Sequence, residues 1–238
     1  MAKFFYITYQ YLIALPIFIF FTICTALITI LSIPWKNAEW LHKIQQLWAR
    51  SFCRLLFLPI EVTGLEHIEP NKSYVFVSNH QSMVDVFLIY GWLPVIFKWI
   101  MKKELRKVPL VGAACKAAGH IYIDRSSKVS SKRSLEEAEH ILRDGVCVVI
   151  FPEGTRTRTG AVGRFKRGAF SIASDLHLPI VPISLSGCYE VMPRTKFYAK
   201  RHAIKMTVGE PIDISSYSEE NRDELIEEVR QKVLDGIA

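Results

Sequence analysis

The sequence lacks the signals of several common protein classes. Its five cysteines form no C-x-x-C pair and lie at no metal-ligand spacing from a histidine, so we expect reduced, structural thiols and no metal site. No G-x-S-x-G occurs, which argues against a serine hydrolase. Internal repeats, linkers and low-complexity tracts are also missing, so a repeat architecture is excluded.

Charge is missing from one long stretch near the N-terminus. No charged residue lies between Lys3 and Lys36, and the apolar run 11–33 is long enough to cross the roughly 30 Å hydrocarbon layer. The basic start and small-residue cleavage site of a signal peptide are lacking, so cleavage is not expected. Pro16 interrupts the run and Pro34 closes it, which leaves two alternatives, one kinked span or a hairpin within one leaflet.

Composition supports a membrane-associated protein with anionic partners. Half of the 238 residues are hydrophobic, and they crowd the first sixty positions, which is more apolar surface than a water-soluble fold usually needs; membrane lipid is therefore an expected partner. The formal net charge of +7 favours lipid head groups, phosphorylated substrates or nucleic acid. At this length we expect one catalytic domain, residues 59–238, after a membrane-anchoring helical segment, residues 1–58.

Positive charge follows the apolar run and predicts an orientation. Lys36, Lys43, Arg50 and Arg54 outweigh Lys3 on the other side of the run. If the segment spans, the positive-inside rule places the catalytic domain in the cytoplasm. The expected location is the cell inner membrane or another membrane that faces the cytoplasm.

The segment from Trp40 onward predicts an amphipathic helix. Apolar residues recur at helical spacing up to Leu55, while cations such as Lys43 and Arg50 occupy the other side. Its two tryptophans suit the head-group boundary, so we favour an interfacial helix. The alternative is a helix packed on the domain core.

After Pro59 the pattern changes to short β-branched runs that alternate with helical stretches. Strands are predicted at residues 74–78, 121–124, 146–151, 180–185 and 204–208. Helices are predicted at residues 85–90, 109–118, 130–143, 168–175 and 219–234. This alternation is typical of an α/β domain with a largely parallel sheet flanked by helices.

A histidine and an aspartate lie where the first of these strands passes into a helix. The chain there reads Asn79-His80-Gln81-Ser82-Met83-Val84-Asp85. Ser82 and Asp85 have capping-box-like spacing, and a bend at Ser82 lets His80 fold back over the first helical turn. Asp85 then accepts a hydrogen bond from one ring nitrogen and leaves the other as a base. The alternative is that Asp85 merely caps the helix and His80 is an ordinary loop histidine.

Cations cluster after a second predicted strand, 146–151. The chain there reads Pro152-Glu153-Gly154-Thr155-Arg156-Thr157-Arg158-Thr159-Gly160. Arginine binds a phosphate through two parallel hydrogen bonds, and small residues let the backbone approach it. A solvated basic loop is the alternative. Two further clusters contain Lys102 with Lys103, and Arg125 after Asp124.

Together, these blocks resemble the 1-acylglycerol-3-phosphate acyltransferases, a family of glycerolipid acyltransferases. In chain order the similar blocks are residues 79–85 for N-H-x-x-x-x-D, 102–105 for K-x-E-L, 119–125, 151–156 and 178–183. The similar region covers about half of the chain and leaves both ends without a motif. Tyr122 departs from the phenylalanine that is usual in the family, which does not affect the chemistry.

The resemblance implies acyl transfer to the sn-2 hydroxyl of lysophosphatidic acid, without a cofactor, from acyl-CoA or acyl carrier protein. It assigns catalysis to His80 as the base and Asp85 as its partner. Arg156 is the first choice for the acceptor phosphate, and Glu153 is expected to orient the cations or the acceptor. The other expected substrate-binding residues are Lys102, Lys103, Arg125, Gly154, Thr155 and Arg158.

Two other functions remain open at the level of sequence. The acceptor of the acyl group is alternatively glycerol 3-phosphate or another lysolipid. A non-enzymatic membrane adaptor with a basic lipid-binding surface explains the charge and the apolar segment, but it leaves His80 and Asp85 without a role. No nucleic-acid partner is expected.

Overall fold

Helices alternate with strands over the part of the chain that the computed structural model describes, residues 2–33, 38–123 and 146–237. The helices within these ranges are α1 (Ala2–Tyr9), α2 (Leu15–Leu31), α3 (Ala38–Leu55), α4 (Val84–Trp92), α5 (Val111–Ala117), α6 (Gly168–Leu176), α7 (Cys188–Val191) and α8 (Arg222–Asp235). The strands are β1 (Ile60–Thr63), β2 (Val75–Ser78), β3 (Phe97–Lys102), β4 (Ile121–Ile123), β5 (Cys147–Ile150), β6 (Ile180–Ser186) and β7 (Ile204–Val208).

The strands form one sheet in the order β1-β7-β6-β2-β5-β3-β4. Neighbouring strands are parallel except at β6 and β7, so β1 and β7 run opposite to the other five. Apolar clusters cover both faces, one shared with α3 and α4 and the other with α6 and α8. The predicted α/β domain with a largely parallel sheet flanked by helices is therefore confirmed.

Strand β2 lies at the centre of the sheet, between β5 and β6. Val75 of β2 is in register with Val148 on one side and Ile180 on the other. The carboxyl ends of adjacent parallel strands meet at the same edge of a sheet, where α/β proteins bind ligands. The loops that follow β2 and β5 therefore lie side by side.

Most of the predicted elements are present, with ends shifted by a few residues. All five predicted strands form, but β1 and β3 were not predicted. Strand β1 is short and only half-buried, and β3 contains Lys98 and Lys102, which interrupt its apolar pattern. Four of the five predicted helices after Pro59 are confirmed, and the fifth, residues 130–143, lies outside the described residues.

The apolar N-terminal run is one continuous helix, not a hairpin. Helix α1, a π-helical turn at Gln10–Ala14 and α2 follow one another without a break, and we call their stretch Lys3–Leu31 the N-terminal helix. By length and composition this helix is able to cross a membrane. Because Pro16 cannot donate a backbone hydrogen bond, the wider π turn just before it lets the helix continue.

The N-terminal helix lies against the domain along most of its length. The Tyr6 hydroxyl donates to the Leu56 carbonyl, and the Gln10 amide makes two hydrogen bonds to the backbone of Ala199. Further along, the Thr22 hydroxyl accepts a hydrogen bond from Trp48 Nε1. At about 1.5 Å per residue these contacts span roughly 24 Å of helix, while the opposite side of the helix exposes large apolar side chains.

Helix α3 packs on the domain core, so the preferred interpretation of this segment as an interfacial helix was wrong for its apolar face. Ala49 and Cys53 are fully buried, and Phe52 stacks on Phe87 of α4 with ring centroids 3.8 Å apart. Only Trp40 and Leu47 remain exposed among its large apolar residues. Helices α2 and α4 pack against this face. Amphipathic spacing alone cannot distinguish a face that packs on other helices from one that contacts lipid.

We predict that Gly187, which joins β6 to α7, is required for stability. Its φ is +77°, and an added Cβ would lie 2.0 Å from the Ala203 carbonyl oxygen. Gly187→Ala should cost about 2 kcal/mol and lower the thermal unfolding midpoint in detergent by about 4–8 °C. Gly168→Ala is the matched control, since nothing lies within 4 Å of its added Cβ. Equal midpoints for the two variants would contradict the prediction.

Candidate active site

The loop after β2 is fixed to the neighbouring strand by one side chain. Asn79 donates through Nδ2 to the Leu185 carbonyl at 2.9 Å and accepts from the Leu185 amide at 2.8 Å. The side chain thus continues the hydrogen bonding of β2 with β6 for one more residue. This role of Asn79 was not predicted. The signal for it is an asparagine directly after an apolar strand, since a buried amide side chain needs hydrogen-bond partners.

His80 and Asp85 are in direct contact. His80 Nδ1 lies 2.8 Å from Asp85 Oδ2, and the same oxygen accepts the backbone N–H groups of Gln81 at 2.6 Å and Ser82 at 2.8 Å. The Ser82 hydroxyl in turn accepts from the Val84 amide. The expected bend at Ser82 and the expected contact between the two side chains are therefore both present.

The environment of His80 fixes its tautomer and its orientation. A carboxylate at Nδ1 keeps the proton on that nitrogen, and Nε2 has no hydrogen-bond partner among the described residues. Phe151 stacks on the ring at a centroid distance of 3.9 Å and an angle of 10°. Because Asp85 is fully buried and the imidazole is mostly buried, the interaction between them is weakly screened by solvent. The ring is therefore held with Nε2 as its unprotonated nitrogen.

Glu153 binds two backbone amides and forms no ion pair with a cation of the described residues. Its Oε1 accepts from the His80 amide at 2.7 Å, and its Oε2 accepts from the Gly163 amide at 2.9 Å. Burial raises the pKa of this carboxyl group, while the two N–H donors act in the opposite direction. Glu153 thus joins the loop after β2 to the loop after β5, and its expected role in orienting the cations or the acceptor stays a prediction.

Further hydrogen bonds join the loops after β2 and β5. The Thr157 amide donates to the His80 carbonyl at 2.9 Å, and Gln81 Nε2 donates to the Gly160 carbonyl at 3.1 Å. Gly154 turns the chain between these contacts with a φ of +71°, a value that favours glycine. Two sequence blocks that are far apart in the chain thus form one rigid unit.

The predicted substrate-binding cations differ in where the structure places them. Arg156 lines the cavity beside His80, whereas Arg158 is exposed and is not part of the cavity wall. Lys102 is the last residue of β3, and Lys103 is the first residue of the exposed 3-10 helix that follows. Arg125 lies outside the described residues.

Arg194 is a cation of the site that sequence reasoning missed. It lines the same cavity as Arg156, and its Nη1 donates to Thr155 Oγ1 at 3.2 Å. It follows β6 by several residues and belongs to no block used for the resemblance. Its chemistry is the same as that of Arg156, a guanidinium group suited to a phosphate.

A cavity of about 570 Å³ connects His80 to the N-terminal helix. Its wall is mainly apolar and aromatic, and no acidic side chain of the described residues lines it. Helix α5 contributes Val111 and Ala114 to the wall, and the N-terminal helix contributes Thr25 and Ala26. The volume falls in the range of small-molecule sites, and the lining suits an aliphatic chain.

A buried polar chain forms one part of this wall. The Tyr90 hydroxyl donates to Gln45 Oε1 at 2.6 Å and lies 3.5 Å from His120 Nε2. Burial, together with nearby Lys98, lowers the pKa of His120 to about 3, so the ring is neutral at physiological pH. His120 therefore contributes shape and hydrogen bonding to the wall but no charge.

Comparison with known proteins identifies relatives along most of the chain. A family model described as Acyltransferase matches residues 59–186, more than half of the chain. A 1-acyl-sn-glycerol-3-phosphate acyltransferase of Chlamydomonas reinhardtii is 31% identical over 192 residues, 80% of this chain and 57% of that protein. The human 1-acyl-sn-glycerol-3-phosphate acyltransferase alpha is 37% identical over 175 residues, 73% of this chain and 59% of that protein.

The fold also matches a solved structure. The 1-acyl-sn-glycerophosphate (LPA) acyltransferase PlsC of Thermotoga maritima superposes with a TM-score of 0.73 at 26% identity, covering 92% of this chain and 95% of that one. The chain spans little more than half the length of the first curated relatives that it matches, 54–57%. The family model, the relatives and the shared fold agree with the motif resemblance. The chain therefore belongs to the acyltransferase family, in the group of the 1-acylglycerol-3-phosphate acyltransferases.

Proposed function

We propose that this protein transfers a fatty acyl group from an acyl thioester to the sn-2 hydroxyl of 1-acylglycerol 3-phosphate and so forms phosphatidic acid. One observation carries the proposal: the 2.8 Å contact of His80 with Asp85, beside an apolar cavity that also contains Arg156. The names of the relatives support this acceptor and product.

In the proposed reaction, His80 is the general base. Its Nε2 accepts the proton of the sn-2 hydroxyl while the oxygen attacks the thioester carbonyl. The tetrahedral intermediate then expels the thiolate, which takes the proton from the imidazolium and leaves as a thiol. Asp85 holds the tautomer and stabilises the imidazolium. The thioester is carried by coenzyme A or by acyl carrier protein, and no cofactor takes part.

The cavity and its two arginines supply the binding energy. The aliphatic chain lies along the apolar wall between His80 and Ala26, where its burial contributes about 0.8 kcal/mol per methylene group. Arg156 and Arg194 bind the acceptor phosphate at the mouth of the cavity, with Thr155 holding Arg194 in place. Each charge-assisted hydrogen bond contributes about 1.5–3 kcal/mol.

The protein is proposed to attach to a membrane through residues 1–58 and to catalyse through residues 59–238. The N-terminal helix is tied to the domain from Tyr6 to Thr22, so its exposed apolar side is available to lipid only while the domain lies at the bilayer surface. None of the five cysteines forms a disulfide bond. Reduced thiols suit the reducing cytoplasmic face of the cell inner membrane or of another membrane.

We predict that His80→Asn removes turnover. Asparagine keeps an N–H group near the position of Nδ1 but has no basic nitrogen, so kcat should fall by about 10³-fold or more. His177→Asn is the matched control, because His177 is exposed at the end of α6 and tolerates the left-handed backbone that asparagine also adopts. Formation of phosphatidic acid from labelled acyl-CoA measures both. Near-normal turnover in His80→Asn would exclude the proposed base.

Arginine substitutions should separate phosphate binding from chemistry. Arg156→Ala should raise the KM for lysophosphatidate by about 10- to 100-fold and change the KM for the thioester little. Arg158→Ala should change both KM values less than about two-fold, because this side chain does not line the cavity. Equal effects of the two substitutions in steady-state kinetics would show that Arg156 has no special role.

A larger side chain in the N-terminal helix should change the preferred chain length. Ala26 is buried in the cavity wall, so Ala26→Phe should lower the ratio of kcat/KM for long over short acyl chains by about ten-fold. Leu27→Phe is the matched control, since Leu27 is exposed on the other side of the helix. An unchanged ratio in Ala26→Phe, measured across a series of acyl-CoA donors, would place the chain elsewhere.

A further inference from the structure

A loop outside the family blocks exposes a large aromatic side chain. Phe197, in the loop that we call the 194–201 loop, is 88% exposed, the highest value among the large hydrophobic residues that the structure describes. Single exposed apolar residues are common and need no explanation. Here, however, the position, the neighbouring charges and the rigid support all point to one partner.

The loop is held rigidly in this conformation. The Gln10 side chain donates to the Ala199 carbonyl at 2.9 Å and accepts from the Ala199 amide at 2.7 Å, in a buried pair of hydrogen bonds. The Tyr11 hydroxyl donates to the Phe197 carbonyl at 3.2 Å. The Lys200 amide donates to the Val191 carbonyl at 2.8 Å. Phe197 is therefore presented to solvent by a fixed backbone and is not a side chain at a frayed end.

The same hydrogen bonds place the loop beside the apolar side of the N-terminal helix. Near Tyr11, that helix exposes Phe4, Leu12 and Leu15. Phe197 thus extends an existing apolar surface. No residue of α6, α7 or α8 is among the exposed large hydrophobics of the described chain, so these three helices add nothing to this surface.

Positive charge surrounds the exposed ring. No acidic residue occurs between Glu190 and Glu210, whereas the 194–201 loop alone contains Arg194, Lys196, Lys200 and Arg201. Lys3 and Lys196 both lie over the Tyr198 ring, with Nζ 5.9 Å from its centroid. An aromatic ring among cations matches the boundary between acyl chains and anionic head groups.

We propose that the 194–201 loop is a second membrane-docking element, which inserts Phe197 into an anionic bilayer beside the N-terminal helix. The inference rests on the membrane attachment proposed above and adds a contact that fixes how the domain is rotated on the surface. A single helix would allow the domain to roll about the helix axis. A second contact on one side of that axis prevents the rotation.

Docking through this loop would also fix the position of the substrate site relative to the bilayer. The loop begins at Arg194, which lines the cavity and contacts Thr155. The two residues before it, Met192 and Pro193, contact Ser82 in the loop after β2. The Ser82 hydroxyl donates to the Met192 carbonyl at 2.6 Å, and Ser82 forms a β-bridge with Pro193. The backbone between Phe197 and these contacts is short and fixed. Insertion of Phe197 would therefore hold the mouth of the cavity at the bilayer surface, where a lipid acceptor enters.

Flotation of the full-length protein with vesicles of phosphatidylcholine and phosphatidylglycerol tests the proposal, at lipid concentrations where the wild type is partly bound. Phe197→Ser should weaken partitioning about ten-fold, while Phe197→Trp should restore it, since both aromatic rings suit the interface. Lys200→Gln should weaken binding about five-fold on these vesicles and not on phosphatidylcholine alone. Lys232→Gln, at an exposed position of α8, is the matched control and should bind like the wild type.

Turnover with a water-soluble, short-chain lysophosphatidate should be unchanged in every variant, because none alters the site residues. This second assay separates the two proposals: a wild type without turnover refutes the proposed reaction, whereas the flotation result still decides the docking loop. Vesicle binding of Phe197→Ser equal to that of the wild type would overturn the inference. A change from dimer to monomer in light scattering of Phe197→Ser would also overturn it, since the ring would then contact a second copy of the chain.

Discussion

A single buried carboxylate oxygen organises the site. Asp85 Oδ2 accepts hydrogen bonds from the His80 ring and from two consecutive backbone amides, within 2.6–2.8 Å. A fully buried charge is tolerated only where donors surround it, and these donors can converge only if the chain bends at Ser82. The bend, the tautomer of His80 and the start of α4 are therefore consequences of one electrostatic requirement. Removing that oxygen would disturb all three together.

The rest of the architecture keeps this centre rigid. Asn79 fastens the loop to β6, Glu153 fastens it to the loop after β5, and Phe151 covers one face of the imidazole. These supports come from strands that are neighbours in the sheet but distant in the chain. A parallel sheet makes this possible because it brings the carboxyl ends of its strands to one edge. Precise geometry in catalysis depends on such supports as much as on the reacting groups.

The sequence predicted the His80–Asp85 pair and the sheet class better than the contacts between segments that are distant in the chain. The pairing of His80 with Asp85 followed from capping spacing, and the sheet class followed from β-branched runs between helices. Arg194 and the packing of α3 were missed because each depends on contacts between segments far apart in the chain. Glu153 was expected to orient the cations or the acceptor, and its contacts with the His80 and Gly163 amides could not be predicted because they too join distant segments. Residue type and spacing report local geometry, but they do not report which neighbour covers a given face.

The contribution of the N-terminal helix to the cavity has a consequence for how such proteins diversify. Thr25 and Ala26 belong to the element with the exposed apolar surface, yet they also line the cavity beside His80. In the function proposed above, membrane attachment and acyl-chain selectivity therefore depend on the same helix. Under that proposal, an exchange of this helix between relatives would transfer a substrate preference along with the membrane attachment, and a fragment without it would have a cavity open on one side.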